Sequence, residues 1–181
     1  MSASGAGAGP AQNPPRGTRK VWRKIQTHGA IPGPRSGAAS VVVGSKLYMF
    51  GGYGGNGRLD DFFSFDFETR TWEEVPQTGE SPGVRENNGV VVQGRCLYLF
   101  GGYNGSQWLN DFHEFSLETK KWRLVDPKGK LPAARFGYVS ITAKKRFILF
   151  GGYDGSNRVN DFYRYVFISN NVLGFICSYL T

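Results

Sequence analysis

The sequence predicts an all-β protein built from three copies of one four-stranded, antiparallel unit of 50 residues. The first observation is that the same residue types return at one fixed spacing, which indicates a supersecondary unit copied along the chain. The second is that each copy holds short β-branched and aromatic runs separated by turn signals, as in antiparallel sheets. The recurring residues are Gly51-Gly52-Tyr53, Gly101-Gly102-Tyr103 and Gly151-Gly152-Tyr153, with Trp22, Trp72 and Trp122, and with Arg35, Arg85 and Arg135.

The second copy shows the four strands, A to D, most clearly. Strand A contains residues 90–92, strand B residues 96–100, strand C residues 112–117 and strand D residues 122–125. The predicted bounds of the copies are 37–76, 87–126 and 137–167, and the third copy ends after strand C. A lone D strand over residues 21–26 precedes the first copy.

Four recurring features have structural explanations. A glycine pair at the end of strand B permits positive φ and close backbone approach, where a Cβ atom would clash with the next copy. The tryptophans are large apolar plates that suit the space between neighbouring sheets. Asn104-Gly105 and Asp154-Gly155 are predicted to form type I′ turns in the B–C loop. The carboxylates of Asp61, Asp111 and Asp161 are expected to accept hydrogen bonds from loop N–H groups.

Composition sets broad limits on partner and location. A net charge of +8 suits an acidic partner, although the same charges could be spread over solvated loops. Two cysteines suit a reducing compartment, and a cytoplasmic protein is expected. A basic run over residues 16–24 makes a nuclear location the alternative. Residues 1–19 are predicted to be a flexible Gly/Ala/Pro-rich tail, and residues 168–181 an atypical apolar tail.

The repeated pattern resembles the kelch repeat over about residues 20–167. The pattern is an apolar A strand, a B strand ending in Gly51-Gly52-Tyr53, then Asp61 and Trp72. The linkers Gly79–Arg85 and Gly129–Arg135 are similar to those of leucine-zipper-like kelch adaptors and kelch vesicle-transport effectors. That subgroup usually carries His three residues after the Arg, where this chain has Ala38, Asn88 and Tyr138.

The resemblance implies that each copy is one blade of a β-propeller. Three blades are fewer than the four to eight of typical propellers. The sequence therefore predicts an incomplete propeller, which would be a fragment, a truncated gene model, or a short form that associates with itself to complete a ring. The alternative is an open wedge of three blades with apolar flanks.

Strand topology predicts which loops could bind a partner. In an antiparallel blade the B–C and D–A loops lie on one face, so their arginines and aromatic residues gather there. Such residues dominate interface hot spots, and the resemblance implies that this face binds proteins or acidic peptides. The competing interpretation is that the recurring arginines bond carbonyls of the adjoining blade. The predicted partner-binding residues are Arg35, Arg85, Arg135, Arg58, Trp108, Arg158, Tyr53, Tyr103 and Tyr153.

The sequence favours a binding module, an adaptor or scaffold, over an enzyme. It has two histidines, His28 and His113, and no spacing typical of a metal or cofactor site, so no cofactor is expected. Asp60 and Asp61 are adjacent on a strand and point to opposite faces, which does not suit paired acid–base chemistry. Copper-radical oxidases use kelch propellers but need several histidines and a Tyr–Cys pair. Nucleic-acid binding through net charge and Trp108 is the other alternative.

Overall fold

The computed structural model describes residues 21–167, and every regular secondary-structure element in that range is a β-strand. The all-β architecture predicted from the sequence is thus confirmed. The predicted tails, residues 1–19 and 168–181, lie outside the described residues.

The strands form three separate sheets, one for each 50-residue repeat. The first sheet contains β1 (His28–Gly29), β2 (Ala39–Val43), β3 (Lys46–Tyr53), β4 (Arg58–Asp66) and β5 (Thr71–Glu74). The second sheet contains β6 (Thr78–Gly79), β7 (Gly89–Gln93), β8 (Cys96–Tyr103), β9 (Trp108–Ser116) and β10 (Lys121–Leu124). The third sheet contains β11 (Val139–Ala143), β12 (Arg146–Phe150) and β13 (Phe162–Val166).

Strands A to D of the sequence correspond to β2–β5, β7–β10 and β11–β13. They pair in chain order as antiparallel neighbours, and the A strands β2, β7 and β11 lie side by side. Each A–B connection is a two-residue loop whose first residue has positive φ, as hairpins with right-handed twist require. That residue is Gly44, Gly94 or Lys144.

A short fifth strand in the first two sheets was not predicted. β6 leaves the first repeat and runs parallel to β10 of the second, with Thr78 opposite Lys121 and Gly79 opposite Trp122. β1 meets β5 in the same way, with His28 opposite Thr71. The linker therefore adds backbone hydrogen bonds between one repeat and the outer strand of the next. Two residues are too few for an alternating apolar pattern, so the sequence carries no signal for this strand.

The hydrophobic core lies between the sheets. Trp122 of the second repeat is 1% exposed and packs against Phe50 and Phe62 of the first, at ring separations of 5.4 and 5.8 Å. Edge and tilted ring contacts of this kind add to the gain from burial. A second cluster, with Phe100, Phe112 and Phe147, joins the second and third repeats in the same manner. The predicted position of the tryptophan between sheets is confirmed for Trp122.

The other two tryptophans differ because the described residues place no sheet ahead of the first repeat. Trp72 packs on Phe65 of its own sheet and is half-buried. Residues 21–27 form no strand, so the prediction of a lone D strand over 21–26 is not met in this structure, and Trp22 is fully exposed. A strand needs a hydrogen-bonded neighbour, and none of the described strands lies beside this segment.

The glycine pairs behave as predicted. Gly51 and Gly101 have φ of +65° and +54° and form a bulge where strand B changes register with strand C. A Cβ on Gly51 would lie 2.5 Å from the carbonyl oxygen of Arg85, in the linker to the next repeat. The close approach lets the N–H of Gly52 donate to that carbonyl at 2.8 Å.

Candidate partner-binding face

The B–C loops and the D–A linkers share one face of the array, which we call the loop face. Isolated β-bridges join each linker to the end of strand B in the same repeat: Ser36 to Tyr53, Glu86 to Tyr103, and Phe136 to Tyr153. The predicted grouping of these two sets of loops is therefore confirmed.

The B–C loops of the second and third repeats are shaped by a side chain. Asn104 Oδ1 accepts hydrogen bonds from the N–H groups of Ser106 and Gln107 at 2.9 and 2.8 Å, and Asp154 does the same in its loop. The prediction of type I′ turns is wrong, because Gly105 and Gly155 have positive φ whereas Asn104 and Asp154 do not. These are Asx turns, and they set the direction of the side chain that follows.

Arg58 and Trp108, in the first and second repeats, each pack between two tyrosines from neighbouring repeats. The guanidinium carbon of Arg58 lies 5.0 Å from the ring centre of Tyr53 and 4.9 Å from that of Tyr103. Trp108 takes the same place one repeat later, 5.4 Å from Tyr103 and 6.0 Å from Tyr153. We call this set the aromatic ladder: Tyr53, Arg58, Tyr103, Trp108, Tyr153 and, beyond the last tyrosine, Arg158.

The ladder is held from both sides. Arg58 donates from Nε to Glu86 at 2.8 Å, so its charge is paired within the protein. The hydroxyl of Tyr103 donates to the carbonyl of Gly105 at 2.8 Å, which fixes its ring. A cation over an aromatic face contributes about 0.5–2 kcal/mol. Trp108 is 37% exposed and Arg158 is exposed, so these two residues offer an aromatic plate and a cation to solvent.

The three recurring arginines turn inward from the same face. The guanidinium of Arg85 donates to both carboxylate oxygens of Asp111 at 2.8 and 2.9 Å and to the carbonyl of Gly101 at 3.0 Å. Arg35 meets Asp61 and Arg135 meets Asp161 in the same way. The side chains of Arg85 and Arg135 are only 1% exposed, and that of Arg35 is 7% exposed.

This geometry favours the structural interpretation of the arginines, with one correction. Their side chains bond a glycine carbonyl and an aspartate of their own repeat, whereas the bonds of Arg85 and Arg135 to the preceding repeat come from their main-chain N–H and carbonyl groups. The aspartates accept guanidinium hydrogen bonds, a pairing that sequence reasoning missed. The signal was present, since both residue types recur every 50 positions at a constant offset of 26. Direct contact of these arginines with a partner stays a prediction.

His113 contacts the Arg85–Asp111 ion pair of the second repeat. Its Nε2 lies 2.9 Å from the carboxylate of Asp111 and its Nδ1 lies 3.1 Å from the carbonyl of Glu80. Burial would raise the pKa of Asp111, but hydrogen bonds from His113 and Arg85 outweigh it and hold that pKa at about 2. In the third repeat, the hydrogen bond from Arg135 lowers the pKa of Asp161 against the opposing effect of burial.

The position three residues after each arginine also differs among the repeats. The hydroxyl of Tyr138 accepts from the N–H of Gly89 at 2.7 Å and donates to the carbonyl of Phe100, so it joins the third repeat to the second. Burial raises the pKa of this tyrosine. Asn88 occupies the same position one repeat earlier and is buried, yet its amide atoms have no hydrogen-bond partner among the described residues. These residues lie under the loop face and are not part of its exposed surface.

Residues 21–167 contain no group of three or more His, Cys, Asp or Glu side chains placed to hold a metal ion. The same range has no helix that could cross a membrane.

Comparison with known proteins gives one match over most of the chain. A family model described as "KLHDC2/KLHL20/DRC7 Kelch-repeats domain" matches residues 17–173. The match includes all three sheets, the ladder and the Arg–Asp pairs.

Individual relatives match over shorter segments. The Rab9 effector protein with kelch motifs from Rattus norvegicus is 44% identical over 41 residues, which are 23% of this chain and 11% of that protein. Kelch domain-containing protein 2 from Homo sapiens and from Mus musculus is 40% identical over 45 residues, 25% of this chain and 11% of the relative. The matched segments thus span about a tenth of the length of these relatives.

Proposed function

This chain belongs to the kelch-repeat family, and we propose that it acts as a protein-interaction module that binds a protein segment on its loop face. The described residues present three equivalent loop pairs on that face, so a bound segment could contact several repeats at once. An adaptor or scaffold role is the proposed cellular use, and the cytoplasm the proposed location.

The observation that carries this proposal is Trp108. Arg58 and Arg158 occupy the equivalent positions, and Arg58 fills the space between two tyrosines well, so the ladder itself does not require tryptophan. Trp108 remains 37% exposed in that space. An exposed indole held rigid by neighbouring rings costs little ordering entropy on binding, and tryptophan is enriched among interface hot spots.

We propose a partner segment with acidic side chains. Arg158 is exposed at the end of the ladder, and the chain as a whole carries a net charge of +8. An arginine beside an aromatic plate can bond a carboxylate through two parallel hydrogen bonds while the plate packs on an apolar neighbour. In this proposal Arg35, Arg85 and Arg135 hold the loops in place, and Trp108, Arg158 and Tyr153 contact the partner.

Display of random peptides tests this function directly. The full chain, residues 1–181, would be used for selection, and a Trp108→Arg variant would serve for counter-selection. That variant restores the side chain that the ladder has at Arg58, so it keeps the fold while removing the indole. The proposal predicts enriched peptides with acidic residues that bind the native chain and not the variant. Failure to enrich any peptide, or equal binding to both proteins, would contradict it.

A binding role is proposed in place of catalysis. The Asp111 carboxylate, whose pKa is lowered to about 2, is paired with Arg85 and His113 and so has a structural role. Nucleic-acid binding is the second candidate, because the net charge of +8 would suit a phosphate backbone. We also propose that the chain can associate with itself through its end repeats.

A further inference from the structure

A cavity that is open to solvent lies between the second and third repeats beside strand β13. Its lining includes Phe100, Phe112, Pro127, Tyr163 and Tyr165. The corresponding space between the first and second repeats is filled by Trp122.

The two places are equivalent residue by residue. Trp122 packs against the rings of Phe50, Phe62, His113 and Phe115, and its Nε1 donates to Gln77. Advancing those five positions by one 50-residue period gives the five lining residues named above. The cavity is therefore the site for a tryptophan on a D strand next to β13. The period places Val172 there, a position outside the described residues.

Trp22 is a candidate for the tryptophan that would fill this cavity. It is one period before Trp72, it is fully exposed, and residues 21–27 belong to no sheet. The linker that follows it, with His28 and Gly29 paired to β5, repeats the linker at Thr78 and Gly79 paired to β10. In that second case the segment before the linker is the D strand of the preceding repeat. Residues 21–26 thus hold, relative to their linker, the position that a D strand holds in the second case.

On the third repeat, the side that no described sheet covers exposes large apolar residues. Phe50 and Phe62 in the first repeat, and Phe100 and Phe112 in the second, are 2–4% exposed because the next sheet covers them. The equivalent Phe150 and Phe162 are 46% and 43% exposed, and Ile141 is 53% exposed. Within residues 21–167 no sheet precedes the first repeat and none follows the third, and a second copy of the chain would supply both.

We propose that two copies associate head to tail, with residues 21–26 of one copy paired to β13 of the other and Trp22 in the cavity. The proposal rests on the self-association suggested above. Three sheets from each copy make six, within the four to eight of closed propellers. Exchange of one strand between two identical chains is a low-cost route to a dimer.

The register of the exchanged strand follows from that of β10. Trp122 lies opposite Phe115 and Arg123 opposite Glu114, so Trp22 would lie opposite Tyr165 and Arg23 opposite Arg164. Arg123 and Glu114 form an ion pair of 2.9 Å, whereas two arginines facing each other repel. An Arg23→Glu substitution would restore the favourable pair and is therefore expected to tighten the dimer.

Light scattering coupled to size exclusion over a dilution series tests the proposal on the full chain. The native chain should give a discrete species of twice its mass of 20.0 kDa. Trp22→Ala should raise the dimer dissociation constant about tenfold or more, and Arg23→Glu should lower it. Both residues are exposed in the single chain, so neither change should unfold it.

The outcomes separate the proposals. A dimer that neither substitution affects would overturn strand exchange and leave self-association standing. A monomer at all concentrations would overturn both, while binding of peptides to the loop face could still be measured. An unaffected Trp22→Ala protein together with a destabilised Val172→Asp protein would assign the cavity to the chain's own residues 171–174, which also overturns the exchange.

Discussion

Arg85 and Asp111 lie 26 residues apart and form an ion pair with two parallel hydrogen bonds of 2.8 and 2.9 Å. The same guanidinium bonds the carbonyl of Gly101, and the carbonyl of Arg85 accepts from Gly52 of the preceding repeat. One residue thus fixes the glycine bulge of its own sheet and attaches that sheet to its neighbour. The loop face depends on these bonds of Arg85, because the residues of the aromatic ladder lie on the loops that the bonds hold in place.

Replacement of Arg85 by alanine should lower the free energy of unfolding by about 3 kcal/mol, because it leaves Asp111 without its buried partner. Arg158→Ala is the matched control, since this arginine is exposed, and its effect should be within about 0.5 kcal/mol. Urea unfolding followed by circular dichroism measures both. Equal losses of unfolding free energy in the two variants would show that the Arg85–Asp111 pair stabilises the fold no more than an exposed arginine does.

Low pH should lower the free energy of unfolding, because it protonates Asp111. Its pKa is about 2 in the folded chain, against an ordinary value of 3.8, so the unfolded state binds the proton first. The stabilisation is present above about pH 4 and is lost as the pH falls towards 2, a change of about 2 kcal/mol. Urea unfolding at a series of pH values should show this loss in the native chain and less of it in Asp111→Asn. Identical slopes in the two proteins would contradict the assignment.

The glycine bulge offers a test of steric fit. Gly101 has φ of +54°, and an added Cβ would lie 2.8 and 2.9 Å from the carbonyl oxygens of Leu109 and Arg135. Gly83 has φ of +74° but open space around it. Ala at position 83 should cost about 1–2 kcal/mol for backbone conformation alone, and Ala at 101 clearly more. Thermal melting of both variants compares them, and an equal loss would mean that close approach is not what selects glycine at 101.

The tryptophans of the first two repeats give a matched pair. Trp122→Ala should destabilise by about 3–5 kcal/mol, because it empties the core between two sheets. Trp72→Ala should cost less in the isolated chain, because Trp72 packs only on its own sheet. Chemical unfolding at low concentration measures the difference. If Trp72→Ala costs as much as Trp122→Ala there, another surface already covers the first repeat.

The period of 50 residues predicted the sheets, the positive φ and close backbone approach at the glycine pairs, and the sharing of one face by two sets of loops. It did not predict contacts that need the angle between neighbouring sheets. Arg58 and Trp108 each contact tyrosines from two repeats, which a one-dimensional pattern does not reveal. The pairing of Arg85 with Asp111 could have been found from their constant offset, because opposite charges that recur together often meet. The fifth strand could not, since two residues carry no period.

The most direct measurement is titration calorimetry of the full chain and of Trp108→Arg with a selected acidic peptide and with a DNA duplex. It would be done at low and at high salt, because duplex binding releases counterions from the phosphate backbone and this release gains less free energy at high salt. The account predicts that the peptide binds the native chain, loses about tenfold or more in affinity to Trp108→Arg, and depends less on salt than the duplex does. Tighter binding of the duplex, with equal affinity in both proteins, would contradict a protein-binding role for the loop face.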